Sequence, residues 1–372
     1  MPFCYSPWTN IDISPRGDIT PCCKFQDNNK LNIQNSTLSD YANSESLSII
    51  KKQFLNDQWP TGCERCRIEE QNGIESKRIL DYTRWKEHYA RVDLNDNKFL
   101  TASIAFGNTC NLTCITCGPE SSSRWQREYH AVYGINKPPF HFYKNEFVQD
   151  FVDYTPGIIH LDIPGGEPFL SGVAEQKQLL AHYIQTGQAK DISIHYTTNV
   201  TIYPDTEWWE LWQHFKEIDM QLSIDGVEQR YKYIRYPADW GTVLENTNRY
   251  LEKQQLLNNF RLSVSHTVSA YNIYYLDEFV SWCYTVGLPR PWMGRVHTPA
   301  FMRPSVWSNP GRDVIINKLF SSNDPDVKQW AQLIRNTDDS NLFDEFKKKM
   351  QMHDEYRTLS FANTFPELVP YL

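Results

Sequence analysis

Apolar and β-branched runs recur along the middle of the chain, each closed by a turn signal and followed by an amphipathic stretch. Strands are predicted at residues 101–106, 158–163, 192–199 and 220–226, in a run from Phe260 toward Asn272, and last at 291–297. Helical spacing fills the intervals at 173–188, 205–218, 241–257 and 273–286. This alternation is the βα repeat of a parallel sheet, and its six strands predict the α/β class with a partial TIM-type (β/α)6 barrel. In such barrels the reactive groups sit at the C-terminal strand ends. Ser223 and Asp225 alternate with apolar neighbours, so both face one side of their strand.

The flanks read differently. Residues 4–23 predict a strand, a Pro-Arg-Gly-Asp turn and a second strand with a cysteine at each end, followed by a helix over 68–88. From Pro304 onward, polar text with helical apolar spacing predicts an extension that either packs on the barrel or closes over the substrate. The expected division is a small α+β module over 1–90, the barrel over 98–303 and a helical extension over 304–372.

Composition narrows the setting. A net charge of -8 leaves no overall footprint for nucleic acid. No run of about 20 apolar residues spans a bilayer, and the first residues lack the basic and apolar regions of a signal peptide. A cytoplasmic protein is expected, with no membrane partner. Its nine cysteines fall mostly in metal-like groups, which argues for reduced thiols over disulfides. Aromatic residues make up 14% of the chain and are read mainly as core.

Cys110, Cys114 and Cys117 share one loop just past strand 101–106, which Gly107-Asn108 breaks. Cuboidal iron-sulfur clusters normally take four cysteines. The C-x3-C-x2-C run supplies three, which leaves one iron open to a ligand. A zinc site and buried structural thiols are the alternatives, although structural zinc wants four ligands. At the N terminus, Cys4, Cys22 or its neighbour Cys23, and the pair Cys63 and Cys66 converge with no position open. That set suits either a 4Fe-4S cluster or structural zinc.

The Cys110 run resembles the cluster motif of radical SAM enzymes, in which the open iron binds S-adenosylmethionine. The resemblance extends to Pro164-Gly-Gly-Glu-Pro168, to the strand ending in Thr198-Asn199 and to Ser223-Ile-Asp225-Gly. It implies that Gly165, Gly166, Glu167, Ser223 and Arg235 contact SAM, and that Val268 meets the adenine. Asn199 and Asp225 carry over from the same strands, with strand capping as their other reading. His195, His266, His297 and Arg295 are read as substrate contacts at the barrel mouth or as hydrogen-bonded structural groups. The family's chemistry is one-electron cleavage of SAM to methionine and a 5'-deoxyadenosyl radical, which abstracts a substrate hydrogen.

The N-terminal segment resembles the twitch or half-SPASM module of the same enzymes. That implies an auxiliary 4Fe-4S cluster on Cys4, Cys22, Cys63 and Cys66, with Cys23 spare. The module usually follows the barrel, and here it precedes it. The cofactors implied are therefore SAM and two 4Fe-4S clusters, with flavodoxin or ferredoxin as electron donor. Oxidative modification of a ribosomal peptide is the implied reaction. A small-molecule dehydrogenase or epimerase is the alternative, with Cys283 as a candidate hydrogen donor, and a non-catalytic cluster-binding protein is a remote one.

Overall fold

The computed structural model describes every residue except 1, 28, 72, 74, 97 and 137–145. No candidate site residue is among these. The chain forms two compact units, one built from Met1–Thr109, Phe140–Tyr196 and Pro204–Ile218, the other from Cys110–Pro139, Thr197–Tyr203 and Asp219–Leu372.

In the first unit a parallel sheet grows from the N-terminal hairpin. Strands β1 (Asn10–Ile13), β2 (Asp18–Thr20) and β3 (Leu31–Asn32) are joined by antiparallel pairing, with Asp12 opposite Thr20 and Asp18 opposite Asn32. Strand β1 also pairs in parallel with β4 (Thr101–Ile104), which pairs with β5 (His160–Ile163), which pairs with β6 (Ser193–Thr198). The strand order is β3-β2-β1-β4-β5-β6. The cysteine-bearing module is thus continuous with the parallel sheet. Leu161, Ile163, Ile194 and Tyr196 alternate to the buried face, as period-2 patterning requires.

The opposite face carries a polar row. Register places Asp12 beside Ser103, Ser103 beside Asp162 and Asp162 beside His195. Asp12 is 8% exposed, and burial pushes its carboxyl up to about 6 although Ser103 hydrogen-bonds it. A carboxyl raised in the folded state binds its proton more tightly there than in the unfolded chain. The stability it confers is present below about pH 4 and is lost as pH rises through about 6. Asp12→Asn is therefore expected to stabilise the protein by about 1–3 kcal/mol at pH 7.5. Urea unfolding at both pH values checks this, since the gain must vanish at about pH 4.

In the second unit β7 (Glu217–Ser223, from Asp219 on), β8 (Phe260–Val268) and β9 (Trp292–Arg295) lie side by side, with β8 and β9 parallel. Helices Trp240–Leu256 and Leu276–Val286 follow β7 and β8. The C-terminal extension is part of this unit's core. Trp307, Phe346, Phe361 and Phe365 are buried in one cluster with Val268, Tyr271 and Ile273. The extension thus packs within this unit.

Several boundaries differ from the sequence pattern. The strand expected from Cys4 begins with a helical turn, Ser6–Thr9, with Pro7 in its first turn, a placement proline favours. The helix expected over 68–88 is two helices, Glu64–Gln71 and Lys77–Tyr89. Gly73 lies between them at φ +72°, a conformation that ends a helix. The 205–218 helix stops at Trp212, and Lys216 N–H instead bonds the carbonyls of Ala189 and Ile192 as β7 begins.

Candidate cluster and cofactor sites

In the first unit, Cys4, Cys22 and Cys63 all lie against the apolar cluster of Trp8, Phe25, Ile50 and Phe54. Burial pushes the Cys4 and Cys22 thiols up and the Cys63 thiol up to about 12. Mutual repulsion adds to this, from Cys66 on Cys4, from Cys4 on Cys22, and from Cys4 and Cys66 on Cys63. Cys66 is itself buried, in the helix that follows the Cys63 turn. Gly62 lets the Cys63 turn approach, because a Cβ there would lie 2.4 Å from the Phe25 ring. The adjoining carbonyl of Gly62 accepts from Gln26 N–H at 3.0 Å. Cys23 is exposed; it also raises Cys22, and its own charged neighbours are Lys77, Asp12, Asp162 and Asp81.

In the second unit the Cys110–Cys117 loop is cross-braced. Thr113 N–H donates to Tyr236 O at 2.6 Å and Ile115 N–H to Ile234 O at 2.7 Å, flanking Arg235. None of the three cysteines is in a disulfide, and all are half-buried. Burial raises the Cys114 thiol, with Arg235 pulling the other way, and pushes Cys117 up to about 12. Such thiols stay protonated at neutral pH until a metal displaces the proton.

The other expected residues of this unit gather near that loop. Asn199 Nδ2 donates to Asn111 Oδ1 at 2.9 Å and lies 3.7 Å from Cys110 Sγ. Its own Oδ1 accepts from Thr201 N–H at 2.9 Å. The next residue, Val200, is fully buried at φ +65°, strained for a β-branched residue. Asn246 and Thr198 bond its backbone at 2.8 and 3.1 Å and hold the turn. Arg235 Nε donates to Asp225 Oδ2 at 2.8 Å, and its Nη1 lies 4.0 Å from Cys114 Sγ. Asp225 Oδ1 accepts from Thr267 N–H at 2.7 Å. Both oxygens of Asp225 are thus engaged by the protein, and its place is to orient Arg235. Ser223 Oγ sits 3.2 Å from Ser265 Oγ.

Three candidates lie elsewhere than a ligand contact requires. The Val268 side chain is fully buried beneath the C-terminal helices, and its carbonyl accepts from Val296 N–H at 3.0 Å. His266 is buried with Nδ1 on Ile224 O at 2.9 Å, and burial lowers its pKa to about 4. It is a neutral structural histidine. Cys283 is fully buried within its helix, which removes it as a hydrogen donor to substrate. His297 is exposed, while His195 and Arg295 are half-buried. Asn111 escaped the sequence reading, and Asn272 entered it only as the end of the run from Phe260. Asn272 Nδ2 ties the carbonyls of Asp225 and Thr267 at 3.1 and 2.9 Å, and a lone Asn after a strand carries no signal for that.

Gly165, Gly166 and Glu167 belong to the first unit. Gly166 has φ +46°, and a Cβ would fall 2.4 Å from Thr109 O, directly before Cys110. Glu167 N–H donates to that same carbonyl at 2.8 Å. The Glu167 side chain is fully buried, with Oε1 accepting from Phe169 N–H at 3.4 Å. Gly166→Ala is expected to lower stability by about 1–3 kcal/mol through strain at this turn. Thermal unfolding against Gly118→Ala, where a Cβ meets nothing within 4 Å, isolates the effect.

Among the described residues, no three His, Cys, Asp or Glu side chains converge as ligands of one metal ion. A cubane holds its thiolates on separate irons, whereas zinc draws all its ligands to about 2.0–2.3 Å from one ion. Soft sulfur donors, four in one module and three on one loop, fit iron-sulfur ligation by number and type.

Residues 4–67 match the SPASM family, an iron-sulfur cluster-binding domain. That span holds Cys4, Cys22, Cys63 and Cys66 and none of the Cys110 loop. No curated protein matches the chain. Solved structures with partial backbone overlap include native anSMEcpe with bound AdoMet and Cp18Cys peptide, at 13% identity and TM-score 0.43, covering 59% of this chain and 58% of that one. Another is Streptococcus suis SuiB bound to S-adenosylmethionine, at 12% identity and TM-score 0.35, covering 77% and 62%. A third is the radical S-adenosylmethionine methyltransferase TsrM from Kitasatospora setae, at 13% identity and TM-score 0.37, covering 54% and 37%. Each overlap spans less than two thirds of the other chain. Overlaps this loose settle neither activity nor substrate. Among the described residues, no helix is long and apolar enough to cross a membrane.

Proposed function

We propose that the chain is a radical SAM enzyme carrying an auxiliary iron-sulfur module at its N terminus. The observation that carries this reading is the cysteine loop and its surroundings. Three thiols on one loop, none in a disulfide, stand beside Asn199 and the Asp225-Arg235 pair. Cys110, Cys114 and Cys117 would hold a 4Fe-4S cluster with one iron left for SAM, and Cys4, Cys22, Cys63 and Cys66 would hold the second. Bound together, cluster and SAM would supply a one-electron cleavage whose product removes a substrate hydrogen.

The chain's own residues have definable tasks. Arg235 places a fixed positive charge beside Cys114, favouring thiolate over thiol. Asn199 holds the loop at Asn111 and turns its amide toward Cys110. Buried apolar walls around the N-terminal thiols exclude water, which protects a cluster from hydrolysis and oxygen. Flavodoxin or ferredoxin is the proposed electron donor. Oxidative modification of a peptide is the proposed reaction, the SPASM match being its support. Mass spectrometry of turnover tests it, because an oxidised product loses a hydrogen pair while an epimerised one keeps its mass. In Cys63→Ala, the auxiliary cluster is expected to be lost and product formation to fall to background, with some unproductive SAM cleavage retained. Product formation at the wild-type rate would contradict the redox role of that cluster.

A further inference from the structure

Three consecutive carbonyls of the cysteine loop are each taken by a side chain. Leu112 O accepts from Ser122 Oγ at 2.6 Å and Cys114 O from the Trp125 indole at 3.1 Å. Between them, Thr113 O accepts from Arg357 Nη2 at 2.6 Å. Ser122 and Trp125 are supplied by the loop's own continuation. Arg357 arrives from 244 residues away, as the last residue of helix Phe343–Arg357, which Thr358 caps at φ 55°.

Arg357 is itself locked in place. Its Nε donates to Glu128 Oε1 at 2.8 Å, and its Nη1 reaches Tyr233 O at 3.5 Å. The guanidinium lies 5.3 Å from the Trp125 ring centre and 5.1 Å from that of Tyr236. Glu128 Oε1 also meets His353 Nδ1 at 2.7 Å, whose Nε2 meets Tyr133 Oη at 3.1 Å. Glu128, His353 and Arg357 are 2%, 1% and 5% exposed. A buried ion pair adds little stability over well-packed apolar residues of the same size, so packing alone does not explain this network. The same stretch of loop is held from its other edge, where Thr113 N–H bonds Tyr236 O. Thr113 and the peptide leading to Cys114 are thereby clamped between Arg357 and the segment that carries Arg235.

We propose that Arg357 is a positioning residue for the Cys110–Cys117 loop: through Thr113 it fixes the backbone that presents Cys114, and so governs how firmly the loop keeps its metal group. This rests on the loop being a cluster site. It makes the C-terminal extension a working part of the cofactor site, with Glu128 and His353 as the brace that aims the guanidinium.

The test uses the full chain, reconstituted anaerobically with iron and sulfide and reduced. The component of its EPR spectrum that changes on adding SAM reports the loop cluster, and the SAM-insensitive component serves as internal reference. Loss of each signal to a ferrous chelator is timed in wild type, in Arg357→Lys, and in the double variant Glu128→Gln with Arg357→Gln. The first variant keeps the charge and loses the guanidinium fork, and the second leaves no buried charge unpaired. Loss of the SAM-sensitive signal is expected to speed up at least about tenfold, the weight of one charge-assisted hydrogen bond, with the reference signal unchanged. Unchanged loss in both folded variants, or equal acceleration of both signals, overturns the role. If Arg357→Lys does not fold, the double variant decides. A wild type with no SAM-sensitive signal overturns instead the cluster reading beneath it.

Discussion

Replacing Cys114 by alanine is expected to abolish SAM cleavage and to halve the iron bound, leaving the N-terminal cluster in place. Cys114 is the middle cysteine of the loop. Its sulfur lies 4.0 Å from the Arg235 guanidinium, and its carbonyl is bonded by the Trp125 indole. A cubane left with two protein thiolates has two irons unprotected. The N-terminal thiols lie in the other unit, on their own apolar bed of Trp8, Phe25, Ile50 and Phe54, so their cluster is expected to survive. Iron counting with EPR checks the halving, and chromatography of 5'-deoxyadenosine checks the loss. A variant that still made 5'-deoxyadenosine at the wild-type rate would remove Cys114 from the site.

The largest stability effect is expected from Asp225→Ala. Asp225 is fully buried, and Arg235, its partner at 2.8 Å, is 9% exposed. Removing one partner of such a pair leaves an uncompensated buried charge, which costs about 3–5 kcal/mol. Thr267 N–H loses its acceptor as well, so the upper half of that range is expected. The double variant Asp225→Leu with Arg235→Met removes both charges and is expected to recover most of the stability. Its loop is nevertheless expected to bind iron less well, because the Arg235 guanidinium, 4.0 Å from Cys114 Sγ, no longer favours thiolate. Denaturant unfolding paired with iron content separates the two effects, and full iron occupancy in the double variant would deny Arg235 its electrostatic role.

The parallel βα frame was legible because burial on one face leaves a period-2 signature. Leu161 and Ile163, Ile194 and Tyr196, and Met220 and Leu222 are buried as their alternation predicts. Helix ends were less legible, since backbone bonding decides them. The run 205–218 reads as one helix by composition, yet Lys216 N–H finds strand-side carbonyls and the helix ends at Trp212. The candidate ligands were legible through spacing, which is local. Val268 was not, because an apolar residue ending a strand reads the same whether it meets a ligand or a helix, and here helices cover it. Cys283 and His266 likewise carry reactive side chains that burial makes structural. The backbone contacts of Asn272 and Arg357 were not legible, although the run from Phe260 ends at Asn272. Each acts on backbone carbonyls whose partners only the fold reveals.

The order of the modules also has a physical consequence. Strand β1 leaves the cysteine hairpin to pair in parallel with β4, with Ile13 opposite Ile104. The hairpin between Cys4 and Cys22 is therefore part of the same sheet as β4. The N-terminal hairpin is anchored to the parallel sheet of its unit through backbone pairing and does not hang on a linker.

Cys110, Cys114 and Cys117 are proposed to hold a cluster that reacts with SAM. Anaerobic reconstitution followed by dithionite and SAM tests it in one experiment, with 5'-deoxyadenosine as the readout. About eight iron per chain, two cubanes' worth, and 5'-deoxyadenosine formed together with methionine are expected. A protein that holds about four iron, retains them in Cys114→Ala and makes no 5'-deoxyadenosine would contradict it.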